Sequence, residues 1–123
     1  MIERRKYPRF QLIVDANYKT INANLFKQGK TRNISAEGLC FESKEKFDIG
    51  TQVSLEVDLG DNMSPVNLVG EIRWSQEAKG RYPEKKRFVN GVRLIDIAKS
   101  DENRFLKYYC TKMVEKLSGY LNM

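Results

Sequence analysis

The sequence predicts a mostly β protein, a six-stranded antiparallel β-barrel followed by one C-terminal α-helix. Three observations carry that prediction. Apolar and polar residues alternate at period two in short runs between residues 10 and 95, the pattern of half-buried strands. Gly, Asn, Asp and Pro gather between the runs, where turns need them. Beyond Ser100 the apolar period lengthens to four, and one amphipathic helix replaces the strands. Short strands joined by turns and followed by one helix favour a rolled antiparallel sheet.

In chain order, Phe10 to Tyr18 is the first strand, with Phe10, Leu12, Val14, Ala16 and Tyr18 on one face. Ile21 to Phe26 alternates less cleanly, Gln28-Gly29-Lys30 reads as a turn, and Thr31 to Ile34 belongs to a second strand. Leu39 to Ser43 is a short third strand with Leu39 and Phe41 inward. Phe47 to Thr51 turns the chain into Val53 to Leu59, which alternates without a fault until Gly60-Asp61-Asn62 ends it. Val66 to Ser75 is the fifth strand, with Leu68, Ile72 and Trp74 expected on one face. A basic hairpin loop, Gln76 to Arg87, leads to the sixth strand, Phe88 to Ile95.

In the helix, Phe105, Tyr109, Met113 and Leu117 recur every four residues, flanked by Leu106, Cys110 and Val114. Ser100 or Asp101 is expected to cap it, Glu102 to complement its dipole and Gly119 to stop it. About 18 residues at 1.5 Å each make a rod of roughly 27 Å, enough to lie across a small barrel. Tyr108 and Tyr120 are open to packing or to an interface.

The chain has 123 residues, 41% of them hydrophobic and 31% charged, as expected of one globular domain with its own core. We read it as a single unit: a basic arm at 1–9, the barrel at 10–97 and the helix at 100–118. No stretch approaches the roughly 20 apolar residues of a membrane span. The first residues lack the apolar centre of an export signal, so a cytoplasmic location is expected. Cys40 and Cys110 lack metal-site spacing and read as small hydrophobes. Histidine is absent, which excludes Ser-His and Cys-His nucleophile pairs and histidine-ligated metals. No convergent acid, base or nucleophile takes their place, so an enzyme is not expected. The formal charge of +6 favours an anionic partner: nucleic acid, nucleotide or acidic membrane surface. Charge does not choose among them.

Two stretches stand out. Arg4-Arg5-Lys6-Tyr7-Pro8-Arg9 places three guanidiniums ahead of the first strand, and such planar forks suit phosphates and the O6/N7 edge of guanine. Pro8 pushes Tyr7 toward an extended conformation. Taken alone, this reads as a solvated basic terminus. The second stretch is Asn33-Ile34-Ser35-Ala36-Glu37-Gly38. Asn33 and Ser35 point the same way from an extended segment and can both donate and accept. Gly38 allows close approach or a positive φ. Alone, this reads as a polar turn. Trp74 can stack on a base or sit in the core, Arg32 can meet a phosphate or be a surface charge, and the Lys79, Lys85, Lys86 and Arg87 cluster reads as a solvated loop.

Arg5-x-x-x-Arg9 followed by Asn33-x-Ser35-x-x-Gly38 resembles the paired motifs of the PilZ domain family. The resemblance extends to Gly70-x-x-x-Trp74, to Gly91-Val92-x-Leu94 and to the C-terminal helix. It implies a six-stranded barrel that binds cyclic di-GMP, a bacterial second messenger, with no cofactor. Arg5 and Arg9 would engage guanine and phosphate as the arm wraps over the ligand. Asn33 and Ser35 would bind from the barrel surface, and Gly38 would allow close approach. Asn33 departs from the Asp frequent in the family and lacks a carboxylate for two guanine N–H donors. Arg4, just before the first motif, resembles the arrangement that takes a pair of intercalated ligands.

The expected function is thus a non-catalytic cyclic di-GMP receptor whose arm closes on the ligand and alters a surface for a protein partner, in motility, biofilm or exopolysaccharide control. Two alternatives differ in class: a basic barrel that binds single-stranded nucleic acid, and a ligand-free interaction module with the same fold. Against the nucleic-acid reading, no strand interleaves aromatics and cations as a stacking platform would.

Overall fold

The computed structural model describes residues 10–35, 38–60, 62–78 and 86–121. Seven antiparallel strands precede one helix: β1 (Phe10–Gln11), β2 (Ala16–Thr20), β3 (Lys30–Ser35), β4 (Gly38–Ser43), β5 (Gln52–Val57), β6 (Val66–Glu77), β7 (Phe88–Ile97) and α1 (Lys99–Leu121). They form one sheet in the order β1-β3-β4-β7-β6-β5-β2.

The six expected strands become seven because the first is broken. The Leu12–Val14 stretch leaves the ladder, yet its backbone still follows β3: Leu12 N–H donates to Arg32 O and Thr31 N–H to Val14 O. Thr31 Oγ1 fills the gap, donating to Leu12 O at 2.7 Å and accepting from Val14 N–H at 3.0 Å. The interruption is thus repaired by one buried hydroxyl, and β1 and β2 act as two halves of one strand. Past it, Ala16 N–H donates to Gly29 O, and Tyr18 exchanges both backbone hydrogen bonds with Lys27. These bonds join the β2 edge to the chain entering β3 and roll the sheet closed, which leaves few backbone groups at an open edge.

The core lies inside the roll. Tyr18, Ile34, Phe41, Val53, Leu55, Val57, Val66, Ile72 and Phe105 are almost wholly buried. Tyr18, Phe41 and Phe47 form an aromatic triangle with centroids 5.4–6.2 Å apart, within range of favourable ring pairing. Burial pushes the Tyr18 phenol above its ordinary 10.0, and its oxygen accepts the Lys44 N–H at 3.0 Å. One polar cluster shares this interior. Asn90 Nδ2 donates to Phe41 O at 3.2 Å and Ser43 Oγ at 2.8 Å, while its Oδ1 accepts from Ser75 Oγ at 2.7 Å. Asn90 thereby ties β4, β6 and β7 together with each of its hydrogen-bonding atoms used.

The helix covers one end of the roll with Phe105 and Tyr109, and Met113 and Tyr108 pack at the margin. Its boundaries differ from expectation at both ends. It begins at Lys99, and Glu102 N–H donates to Ala98 O, so Ser100 and Asp101 lie inside the first turn and do not cap it. Asp101 is drawn away instead: Oδ2 accepts Asn67 N–H from β6 at 3.2 Å, and Oδ1 lies 3.6 Å from the guanidinium of Arg104, one turn on in the helix. Nor does the helix stop at 118, because it passes through Gly119 to Leu121. Glycine stops a helix when it turns left-handed, and the described glycines with positive φ are Gly50 and Gly60. Within a helix it costs only about 1 kcal/mol relative to Ala.

Candidate functional site

The candidate site lies on the outer face of β3, β4, β7 and β6. Ile34 points into the core, so its neighbour Asn33 points out. Register then builds a row across the sheet. Asn33 is opposite Cys40, Cys40 opposite Gly91, and Gly91 opposite Trp74. Three strand spacings separate the ends of this row, roughly 14 Å. A second row runs beside it through Ser35, Gly38, Arg93 and Glu71.

Trp74 is not on the face of Ile72 and Leu68 where alternation places it. The β6 ladder slips between Ile72 and Trp74, a bulge at Arg73 that inserts one residue and reverses the facing. Ile72 therefore stays in the core while Trp74 pairs with Gly91, whose neighbours Asn90 and Val92 both point inward. The indole lies directly on Gly91, since a Cβ there would be 2.1 Å from Trp74 Nε1. Only glycine admits that approach. The result is a half-buried aromatic on the outer face, in line with Asn33.

Gly38 also serves a packing need. A Cβ at this position would meet Val92 O at 2.1 Å, so β7 backbone occupies the space a side chain would take. Arg32 is the extra residue of a second bulge, between Thr31 and Asn33. It is exposed, with its guanidinium 3.7 Å from Glu42. Arg93 and Glu71 were not singled out in the sequence. The Glu71 carboxylate holds Arg73 at 3.1 Å and Arg93 at 3.9 Å, which brings two guanidiniums to the border of the second row. Nothing local in the sequence signals this pairing, because it depends on β7 lying between β4 and β6.

The polar atoms of the two rows differ in how they are satisfied. Asn33 Oδ1 is buried and accepts no hydrogen bond. An orphaned buried acceptor costs about 1–3 kcal/mol, so a donor delivered by a ligand would recover that loss. Among the described residues no group of His, Cys, Asp and Glu is arranged to hold a metal ion.

Arg4, Arg5 and Arg9 lie outside the described residues, as do Lys79 and Lys85. Their point of attachment does not. β1 begins at Phe10, paired with Ile34, and Gln11 pairs with Asn33. The arm therefore joins the barrel alongside the Asn33–Ser35 motif. Five residues, Arg5 to Arg9, span at most about 17 Å when extended, comparable with the width of the row.

Three solved structures share the fold, at TM-scores of 0.68–0.71 and 12–20% identity. The inhibitor of motility MotI/DgrA of Bacillus subtilis is 20% identical over 94% of this chain and 53% of its own. The PilZ domain of Escherichia coli YcgR, solved with c-di-GMP, is 12% identical over 98% of this chain and all of that one. MrkH of K. pneumonia, solved as a c-di-GMP complex, is 12% identical over 96% of this chain and 56% of its own. The chain thus spans about half the length of MotI and MrkH. No curated protein sequence matches it significantly. The PilZ domain family model matches residues 3–110, from the basic arm into the helix, and the chain belongs to the PilZ domain family.

Proposed function

We propose that this protein is a non-catalytic receptor for cyclic di-GMP. The supporting observation is the β1–β3 register, which attaches the arginine arm beside Asn33 and within reach of the outer row. Both kinds of group the ligand needs are then available together. Arg5 and Arg9 supply forks for guanine and phosphate, each good bidentate guanine contact being worth about 1–3 kcal/mol. Asn33 Oδ1 supplies an acceptor for a guanine N–H, and Ser35 a hydroxyl. Trp74, seated on Gly91, offers an aromatic face for a base, worth about 1–3 kcal/mol. Gly38 contributes by letting β7 approach, which differs from direct access to the ligand.

In this reading residues 1–9 order over the ligand, the 1–123 unit responds as a whole, and the newly covered face meets a protein partner in the cytoplasm. Ordering the arm consumes part of the binding energy. Arg4 extends the cluster toward a second ligand molecule. YcgR and MrkH, both solved with c-di-GMP, support the ligand assignment by likeness of fold.

Isothermal titration calorimetry with cyclic di-GMP tests the proposal. Wild type is expected to bind, Arg5→Ala and Arg9→Ala each to lose most of the heat, and the stoichiometry to report one or two ligands. Binding to oligonucleotides that falls steeply with salt, with none to the dinucleotide, would instead favour the nucleic-acid alternative. Silence toward both would leave the interaction-module reading in possession.

A further inference from the structure

We propose that the end of the barrel opposite α1 docks on an anionic lipid bilayer. This surface is separate from the ligand row and does not rest on that reading. β2 and β4 end there at Thr20 and Ser43, β6 ends there at Glu77, and β5 and β7 start there at Gln52 and Phe88. Its loops are tied to one another. Ile21 N–H donates to Gln52 O at 3.2 Å, and Lys27 Nζ meets Glu45 at 2.6 Å.

The loop tips are aliphatic and project. Leu25 is 81% exposed and Ile49 is 76% exposed, with Ile21 and Phe26 exposed beside them. At the other end Phe105 and Tyr109 of α1 are buried against the roll. Side chains this exposed line no groove. They are protrusions, the shape that enters the boundary between lipid headgroups and acyl chains.

Charge completes the pattern. Residues 19–30 hold three lysines, Lys19, Lys27 and Lys30, and no acid. Lys44, Lys46, Lys86 and Arg87 are exposed on the neighbouring segments, against Glu45, Asp48 and Glu77. Lys30 is opposite Glu42 and Lys27 is held by Glu45, so the surplus comes from the others. Lys19 lies 5.3 Å above the Phe26 ring and donates to Ala23 O at 3.1 Å, which holds its ammonium against the turn that carries Leu25 and Phe26. Cations around an aliphatic point suit a surface of phosphates over hydrocarbon, each basic group adding to the attraction. A convex, cationic, aliphatic end thus matches an anionic bilayer better than a protein groove.

The test is co-sedimentation of the full chain with phosphatidylcholine vesicles, with and without phosphatidylserine. Sedimentation is expected only with the anionic vesicles and should weaken as salt rises. Leu25→Glu combined with Ile49→Glu should lower vesicle partitioning by at least tenfold or so. Lys44→Glu with Lys46→Glu should do likewise, and all four positions are exposed, so the thermal midpoint should hold. Absence of wild-type sedimentation, or partitioning unchanged in both double variants, would overturn the proposal. Dinucleotide titration of the same variants should match wild type, so failure here is distinguishable from failure of the receptor reading.

Discussion

Two asparagines occupy opposite sides of the same sheet and are treated in opposite ways. Asn90, inside, spends its amide on three partners from β4 and β6. Asn33, outside, keeps a buried oxygen without one. A satisfied interior amide specifies which strands lie together, and removing it strands its partners. An orphaned acceptor costs the free protein about 1–3 kcal/mol and recovers that only when a donor arrives. The contrast separates a residue that serves the fold from one available for binding, though both are Asn in a strand.

The comparison can be broken by substitution. Asn90→Ala is expected to have the largest effect, a loss of about 3 kcal/mol in urea denaturation, because it leaves Ser75, Ser43 and Phe41 O short of partners in the core. A loss below about 0.5 kcal/mol would show that the cluster is dispensable. Gly91→Ala comes next. Its Cβ displaces the indole, so about 1–2 kcal/mol of stability should go and Trp74 fluorescence should shift to the red. Unchanged emission would mean that the ring does not rest there.

Asn33→Ala sharpens the contrast from the other side. Stability should rise by up to about 1–3 kcal/mol, because the substitution removes a buried acceptor that has no partner. Cyclic di-GMP affinity should fall by about 1–3 kcal/mol in calorimetry if the oxygen meets a ligand donor. A large loss of stability with intact binding would reverse the roles assigned to the two asparagines.

The smallest effect concerns pH. Burial raises the Tyr18 and Tyr109 phenols above 10.0, so the fold favours their neutral forms. That contribution is complete below pH 10 and is lost as pH rises through the raised folded values. Thermal midpoints should therefore decline in alkali, and Tyr18→Phe should flatten the decline. The same slope in that variant would exclude Tyr18 as a source.

Much of this was open to inspection in the sequence. Val53–Val57 shows its buried face by strict alternation, because a period of two exposes or hides every second side chain. Phe105 and Tyr109 show theirs by helical spacing. The Asn33–Gly38 motif was visible as a polar corner between two strands. Trp74 was not readable in this way. The same alternation placed it inward, and one inserted residue at Arg73 sent it out. Ser100 and Asp101 looked like caps, but the helix begins before them and Asp101 turns to Asn67 on β6. In both cases a local rule lost to a contact across the sheet or onto it, Gly91 under Trp74 and Asn67 beside Asp101.

Neighbours a few positions apart suffice to tell which residues are hidden within each strand and helix, and which short motifs carry arginine, amide and hydroxyl groups. The assembled sheet was needed to show that Asn33 and Trp74 share a face, that Gly38 and Gly91 admit Val92 O and the Trp74 ring, and that Phe10, where the arm ends, pairs with Ile34. Strand register and bulges set those relations, and both are settled by packing the whole sheet at once.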